Sequence, residues 1–341
     1  MIGLKIRKNI ANDMRKLLLK HSLINLDAKI KREDDFVVIP LIEKPQNELL
    51  DNFGLENLQI IETAFEMQKR GPKSIKDYLK GRIEDEKIEE IRGSFDIIGD
   101  IVILEIEDDL EEFKSLIGET ALKFTKRKAV FRKRSEIKGI IRTRELEHIA
   151  GEDISETVHQ EFGSKLILDV KGVYFSPRLA TERKRVADNV KDGEVIVDMF
   201  GGVAPFPVLI ARNHEVKIYS IDINPDAYYY AKKNIKLNKV ENKVIPILGD
   251  VREVLENKGI NADRIIMNLP GTAYEFLDSA FNALNDGGII HYYEFAEDFQ
   301  KPIKRLQDAA YPRKIDVLNK RKVRSRSPGK WHMGIDAKVL P

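Results

Sequence analysis

Val195-Ile196-Val197-Asp198-Met199-Phe200-Gly201-Gly202-Val203-Ala204-Pro205-Phe206 is the stretch on which the fold turns. Three apolar strand formers end in an acid. Two glycines then allow a tight turn and close approach of a ligand to the backbone, and Pro205 suits the first turn of a helix. Working outward, apolar runs recur at 218–221, 244–248, 265–267 and 289–293, separated by segments of helical length. This alternation, from about Lys165 onward, predicts an α/β, Rossmann-like doubly wound sheet. In such sheets the ligand lies beyond the carboxyl ends of the strands, so the residues ending each run form the candidate site. They are Asp198, Asp222, Gly249-Asp250-Val251-Arg252 and Asn268-Leu269-Pro270.

A carboxylate at Asp222 can accept from both hydroxyls of a ribose, and Asp250 can accept from an adenine amino group. Taken singly, each acid reads as a helix cap or loop residue. Four strand ends in register, each with a short polar group, point to an adenosine-containing cofactor. The absence of GxGxxG removes the pyrophosphate cradle of a dinucleotide site. Asn268-Leu269-Pro270 resembles the Asn-Pro-Pro-aromatic signature of methyltransferases that act on planar nitrogens, so a transferase is favoured over a dehydrogenase.

Upstream, a basic helix around Asn12–His21 precedes a strand Phe36–Ile39 closed by Pro40, and Gln68–Lys73 reads as a linker. A charged helical stretch to about Glu90 leads to two short strands around Gly99-Asp100 and a helix near Leu110–Leu122. Lys123–Arg144 is then dense in cations, the kind of strip that binds a phosphate backbone. The plainer alternative is a solvated face balanced by the acidic run Glu105–Glu112. The expected division is 1–68, a small tethered unit; 69–160, an α/β RNA-binding unit; and 161–341, the Rossmann-like unit.

The 341 residues carry 58 Lys and Arg against 56 Asp and Glu, so any affinity for a polyanion must be local. With no cysteine, thiol nucleophiles, disulfides and Cys-ligated zinc are excluded, and no metal site is expected. The N-terminus lacks the apolar run of a signal peptide and no stretch is long enough to span a bilayer, so a cytoplasmic protein is expected.

Arg144–Glu152, Val173-Tyr174-Phe175-Ser176-Pro177-Arg178, Thr181-Glu182-Arg183, Val197–Phe206, Ile266–Pro270, Gly287–Tyr293 and Arg324–His332 together resemble the archaeal and eukaryotic tRNA (guanine-N1)-methyltransferases that modify position 37, beside the anticodon. The resemblance is close over about 95–341, and the N-terminal unit matches only in size and placement. It implies a class I methyltransferase domain preceded by two smaller α/β domains, with S-adenosylmethionine as cofactor. It also implies a tRNA partner touched at the anticodon loop and, through residues 1–68, at the outer corner. A monomer without membrane association is expected. The implied cofactor residues are Arg183, Asp198, Phe200, Gly202, Asp222, Ile223, Asp250, Val251, Asn268 and Pro270. The implied substrate residues are Arg142, Arg144, Tyr174 and Arg178. The family usually has glycine at the position of Ala204 and alanine at that of Gly201, so the Ala204 methyl is expected to narrow the turn beside the methionine moiety.

Guanine N1 carries a proton and becomes nucleophilic only as that proton leaves and charge spreads to O6. Within the resemblance, Glu182 is the candidate base, with burial expected to raise its pKa towards the working pH. Arg142 would stabilise O6 and Asn268 would orient the base. Without the resemblance, Glu182 reads as a salt bridge to Arg183 or Arg185, and Arg142 as a phosphate contact. Two other functions stay open: a methyl- or aminocarboxypropyl-transferase acting on a wyosine precursor at the same tRNA position, and a non-catalytic RNA-binding protein with a vestigial cofactor domain.

Overall fold

Alternation of buried Leu4 and Ile6 with half-buried Lys5 makes β1 (Ile2–Arg7) a one-sided strand. It lies inside an antiparallel sheet completed by β2 (Lys31–Arg32), β3 (Phe36–Pro40) and β4 (Leu58–Glu62), in the order β2-β3-β1-β4. Helix α1 (Ala11–Lys20) buries Met14 and Leu18 in a core shared with Leu4, Ile6 and Ile39, and a short α2 (Asn47–Leu50) follows β3. Pro40 stands inside β3, opposite Gly3, as its last residue. The structure, a computed structural model, describes residues 1–50, 58–68, 72–135, 139 and 144–340. The expected linker Gln68–Lys73 therefore lies partly outside the described residues. The chain separates into two units, Met1–Asp77 and Tyr78–Pro341, within α3 (Ile75–Leu79).

The second unit begins with α4 (Asp85–Glu90) and a four-stranded sheet. Strands β5 (Asp96–Ile98) and β6 (Ile101–Leu104) form the expected hairpin around Gly99-Asp100. Strand β7 (Ala129–Lys133) runs parallel to β6, and β8 (Leu146–Gly151) antiparallel to β7. Between β6 and β7 the expected single helix is split. A 3-10 turn covers Asp108–Phe113, with Leu110 non-helical, and α5 (Lys114–Thr125) follows. The hairpin β9 (Glu156–Glu161) and β10 (Ser164–Asp169) comes next, so the boundary expected at 160/161 falls inside β9.

After α6 (Ala180–Ala187) come β11 (Val195–Asp198), α7 (Pro205–Asn213), β12 (Lys217–Asp222), α8 (Pro225–Leu237), β13 (Val244–Leu248), α9 (Val251–Lys258) and β14 (Ala262–Met267). Then α10 (Leu277–Ala283), β15 (Leu284–Ala296), α11 (Gln300–Ala310), β16 (Lys314–Ser327) and β17 (Lys330–Leu340) complete the order. The sheet runs β13-β12-β11-β14-β15-β17-β16. The first five are parallel, and β17 inserts antiparallel between β15 and β16. Strand order reverses between β11 and β14, which places a crevice at their carboxyl ends.

Ile196 and Ile218 face a core that also takes in Ile101 and Phe131 of the four-stranded sheet. Val197, Ile265 and Ile290 face a second core with Leu277 and Phe281. Burial on both faces is why these strands read as continuous apolar runs. The edge strand β16 is mostly exposed and carries Lys320, Arg321, Lys322, Arg324 and Arg326, a charged edge that resists pairing with another chain. No helix among the described residues is long and apolar enough to cross a membrane.

Candidate active site

The turn after β11 puts Gly202 in left-handed backbone (φ +53°), and its amide donates to Asp222 Oδ2 at 2.7 Å. Asp222 Oδ1 accepts from the Asn224 amide at 2.9 Å. The carboxylate is thus oriented by two backbone donors, one on each oxygen. Asp198 is 1 % exposed; its Oδ1 accepts from the Phe200 amide at 3.4 Å, while its buried Oδ2 has no hydrogen-bond partner among the described residues. Burial, with the nearby charge of Asp222, pushes its pKa up to about 7. A Cβ on Gly201 would stand 2.2 Å from Ser220 Oγ, so Ser220 imposes glycine at 201. Ala204 also adopts left-handed backbone (φ +63°), and it is fully buried in the core with Val203 and Phe206. Its methyl therefore packs inward, and the expectation that it narrows the turn is corrected.

At the other strand ends, Ile223 is exposed, Val251 is buried, Asn268 is half-buried and Pro270 is buried. The Pro270 carbonyl accepts from the Phe295 amide at 2.9 Å, which ties the loop after β14 to β15. Asp250 caps α9 and is engaged by its own helix. Oδ1 accepts from the Arg252 amide and Nε at 2.9 and 3.0 Å, and Oδ2 from Arg252 Nη2 at 2.6 Å. Arg252 holds its carboxyl below the usual range, and an adenine amino group would have to share these acceptors. The Arg252 guanidinium lies 4.9 Å from the Phe276 ring, which meets Phe200 edge-on at 5.1 Å. Sequence reasoning singled out neither Phe276 nor a ring contact for Arg252; no local pattern marks a side chain delivered by the next loop.

Glu182 is placed in a buried charge cluster. Its Oε1 accepts from Tyr293 Oη at 2.5 Å, from Arg185 Nη2 at 2.9 Å and from Arg321 Nη2, and its Oε2 from Arg321 Nε at 3.0 Å. Burial alone would raise the Glu182 pKa, but the donors Arg321, Arg185 and Tyr293 outweigh it and bring it down to about 2. The expected upward shift is thereby corrected: the site is buried but fully paired. Asp336 accepts from Arg185 Nη1 at 2.8 Å and Arg321 Nη1 at 3.0 Å, and closes the cluster. His291 Nε2 faces Arg264 Nη1 at 2.8 Å, and arginine can only donate, so Nε2 is the acceptor. Nδ1 then carries the proton and donates to Asp336 Oδ1 at 2.6 Å. Burial lowers the His291 pKa, consistent with this neutral tautomer.

Arg183 is corrected as a cofactor ligand. It is 2 % exposed, and it donates to Glu161 at 2.5 and 2.6 Å and to the Ser176 carbonyl at 3.1 Å, tying α6 to β9.

Tyr174, Arg144 and Arg178 line one cleft of about 910 Å³ with Phe295 and Arg324. Arg178 Nε donates to Asp96 Oδ1 at 2.5 Å. Tyr293 and Phe295 both meet the His332 ring edge-on, at 5.4 and 5.5 Å, so three rings connect the Glu182 cluster to the cleft wall. Arg142 lies outside the described residues. The basic strip is partly neutralised: buried Arg132 pairs with Glu147 at 2.6 Å and with Glu111, Arg134 with Glu111 at 3.4 Å, and Lys133 with Glu105 at 3.5 Å. The charge-balanced reading of the strip thus holds for its described part, where Glu105 and Glu111 of the acidic run pair with Arg132, Lys133 and Arg134.

Comparison with known proteins matches three stretches of the chain. The TRM5/TYW2 methyltransferase domain matches residues 157–318, a TYW2 N-terminal domain 75–154, and a tRNA methyltransferase 5 N-terminal domain 3–49. The tRNA (guanine(37)-N(1))-methyltransferase Trm5b of Methanocaldococcus jannaschii is 42 % identical over 98 % of each chain. The chain belongs to the TRM5/TYW2 methyltransferase family. A solved complex of aTrm5 with tRNALeu is 40 % identical, covers 99 % of this chain and 100 % of its own, and superposes with a TM-score of 0.73. The tRNA(Phe) (4-demethylwyosine(37)-C(7)) aminocarboxypropyltransferase of M. jannaschii is 38 % identical over 71 % of this chain and 96 % of its own.

TRM5/TYW2 methyltransferases use S-adenosylmethionine, and the strand ends of this chain suit that molecule. Asp222, oriented by two backbone amides, ends β12 beside exposed Ile223. Asp198 Oδ2, at the end of β11, is a buried oxygen without a hydrogen-bond partner among the described residues.

Proposed function

We propose that this enzyme transfers the methyl group of S-adenosylmethionine to N1 of guanosine 37 in tRNA. The observation that carries the reading is 42 % identity over 98 % of both chains to an enzyme of that activity, N-terminal unit included. The aminocarboxypropyltransferase relative corresponds to only 71 % of this chain. Residues 1–68 contact the tRNA away from the anticodon, 69–160 the anticodon region, and the Rossmann-like unit carries the chemistry.

The sulfonium supplies an electrophilic methyl group. The protein must place guanine N1 in line with it and take the N1 proton. Tyr174 and Phe295 in the cleft offer ring faces for a splayed base, and Arg144, Arg178 and Arg324 counter the flanking phosphates. Arg142 donates to O6 as negative charge develops, and Asn268 orients the base edge. Glu182 receives the proton. Its carboxylate is ionised throughout the working range and needs no prior activation; as a weak base it takes the proton once the arriving methyl group has acidified the N–H.

Nucleoside analysis of tRNA incubated with the protein and S-adenosylmethionine tests the reaction: 1-methylguanosine is expected, and a wyosine derivative would transfer the assignment to the aminocarboxypropyl or wyosine-methyl branch. Glu182→Gln is expected to slow single-turnover methylation at least about a hundredfold; a near-normal rate removes Glu182 as acceptor.

A further inference from the structure

Arg321 makes three hydrogen bonds to Glu182, as many as Arg185 of the same helix as Glu182, but it comes from the far edge of the sheet. It starts on β16, two strands from Tyr293. Pairing sets Arg321 opposite Gly334, and Gly334 opposite Tyr293, so the three form one row across β16, β17 and β15. Because Gly334 has no side chain, Arg321 can lie across β17 and reach Glu182, which Tyr293 contacts from the far side. A Cβ at 334 would stand 3.1 Å from Arg321 Nη2 and 3.2 Å from Tyr293 Cε1.

The surroundings are charge-balanced. Glu182 and Asp336 oppose Arg185 and Arg321, with each guanidinium bridging both acids. His291 on β15 is held neutral between Asp336 and Arg264 of β14, and Glu194 neutralises Arg264 at 2.6 Å. A proton on Glu182 would leave this balanced set with an excess positive charge. Buried ion pairs of this kind contribute little net stability against an apolar replacement, so stability alone does not account for them.

We propose that Arg321 is a positioning residue for methyl transfer: it fixes the Glu182 carboxylate against Tyr293 and keeps it in the proton-accepting form. This rests on the assignment of Glu182 as proton acceptor. Gly334 is part of the same device, since it clears the path that Arg321 takes.

The test is the single-turnover rate at saturating S-adenosylmethionine and tRNA, between pH 5 and 8, for the wild type, Arg321→Gln, Arg321→Lys and Gly334→Ala, with thermal melts and tRNA binding for each. The wild type should show no loss from Glu182 protonation in this range. Arg321→Gln should be slowed about tenfold at pH 8 and lose about a further tenfold relative to wild type by pH 5, with tRNA affinity unchanged. Arg321→Lys should recover part of the rate and most of the acid tolerance, because it restores the charge without the fork. If Arg321→Gln does not fold, Gly334→Ala must show the same acid-side loss in smaller measure. A folded Arg321→Gln whose profile parallels the wild type overturns the proposal, as does weakened tRNA binding with an unchanged rate. Glu182→Gln separates the two layers: a normal rate there overturns the acceptor assignment itself, whereas a slow Glu182→Gln beside an unshifted Arg321→Gln overturns only the role of Arg321.

Discussion

Two carboxylates, Asp222 and Glu182, are held in opposite ways. Asp222 is fixed by the amides of Gly202 and Asn224, donors supplied by the loops of its own β-α units. Glu182 is fixed by side chains from α6, β15 and β16, two of them more than a hundred positions away in the chain. Backbone donors are neutral and survive most side-chain substitutions, so they orient a carboxylate without changing the local charge, which suits a group that recognises a ligand. Guanidinium donors carry charge, so they set an ionisation state as well as a direction, which suits a group that handles a proton.

This contrast can be broken first at the cofactor end. Asp222→Asn is expected to weaken S-adenosylmethionine binding about a hundredfold, since an amide group cannot accept at both oxygens while facing two backbone N–H groups. Calorimetry decides it; an unchanged Kd would remove Asp222 from the site.

Asp198 offers a pH test of smaller size. Its folded pKa is about 7 against an ordinary 3.8, so the folded protein favours the protonated form. That contribution to stability is fully present below the unfolded value and is lost as pH rises through about 7. Relative to Asp198→Asn, the wild type should therefore become steadily less stable in urea between pH 5 and 8. Parallel curves would show that Oδ2 finds compensation in solution.

Ala204→Gly should change least. It relieves left-handed backbone worth about 1 kcal/mol and removes a buried methyl of similar worth. The thermal midpoint should barely move and S-adenosylmethionine affinity should stay within about twofold, because the methyl faces the core. A tenfold gain in affinity would put the methyl back into the cofactor space.

The same contrast explains what was legible in the sequence. Strand-end residues such as Asp198, Asp222 and Asn268 could be read because a parallel strand, its loop and the next helix are contiguous, and periodicity marks where each strand stops. The cleft residues Arg144, Tyr174 and Arg178 came from the resemblance, and the structure gathers them. Arg321, Asp336 and Gly334 were invisible as a set, because only the β15-β17-β16 pairing aligns them with Tyr293. The sign of the Glu182 shift was misjudged for that reason: burial could be guessed from the helix, its partners could not. Arg183 and Arg132 likewise hid their acids, Glu161 and Glu147, on other strands.

The insertion of β17 between β15 and β16 also couples the charge cluster to the core of the sheet. Residues 330–340 follow every other strand of the sheet in the chain, yet they separate its two preceding strands. Ile335, Ala337 and Val339 of this strand enter the core that holds Val197, Ile265 and Ile290, so the strand that brings Asp336 to the Glu182 cluster also seals one face of the parallel strands.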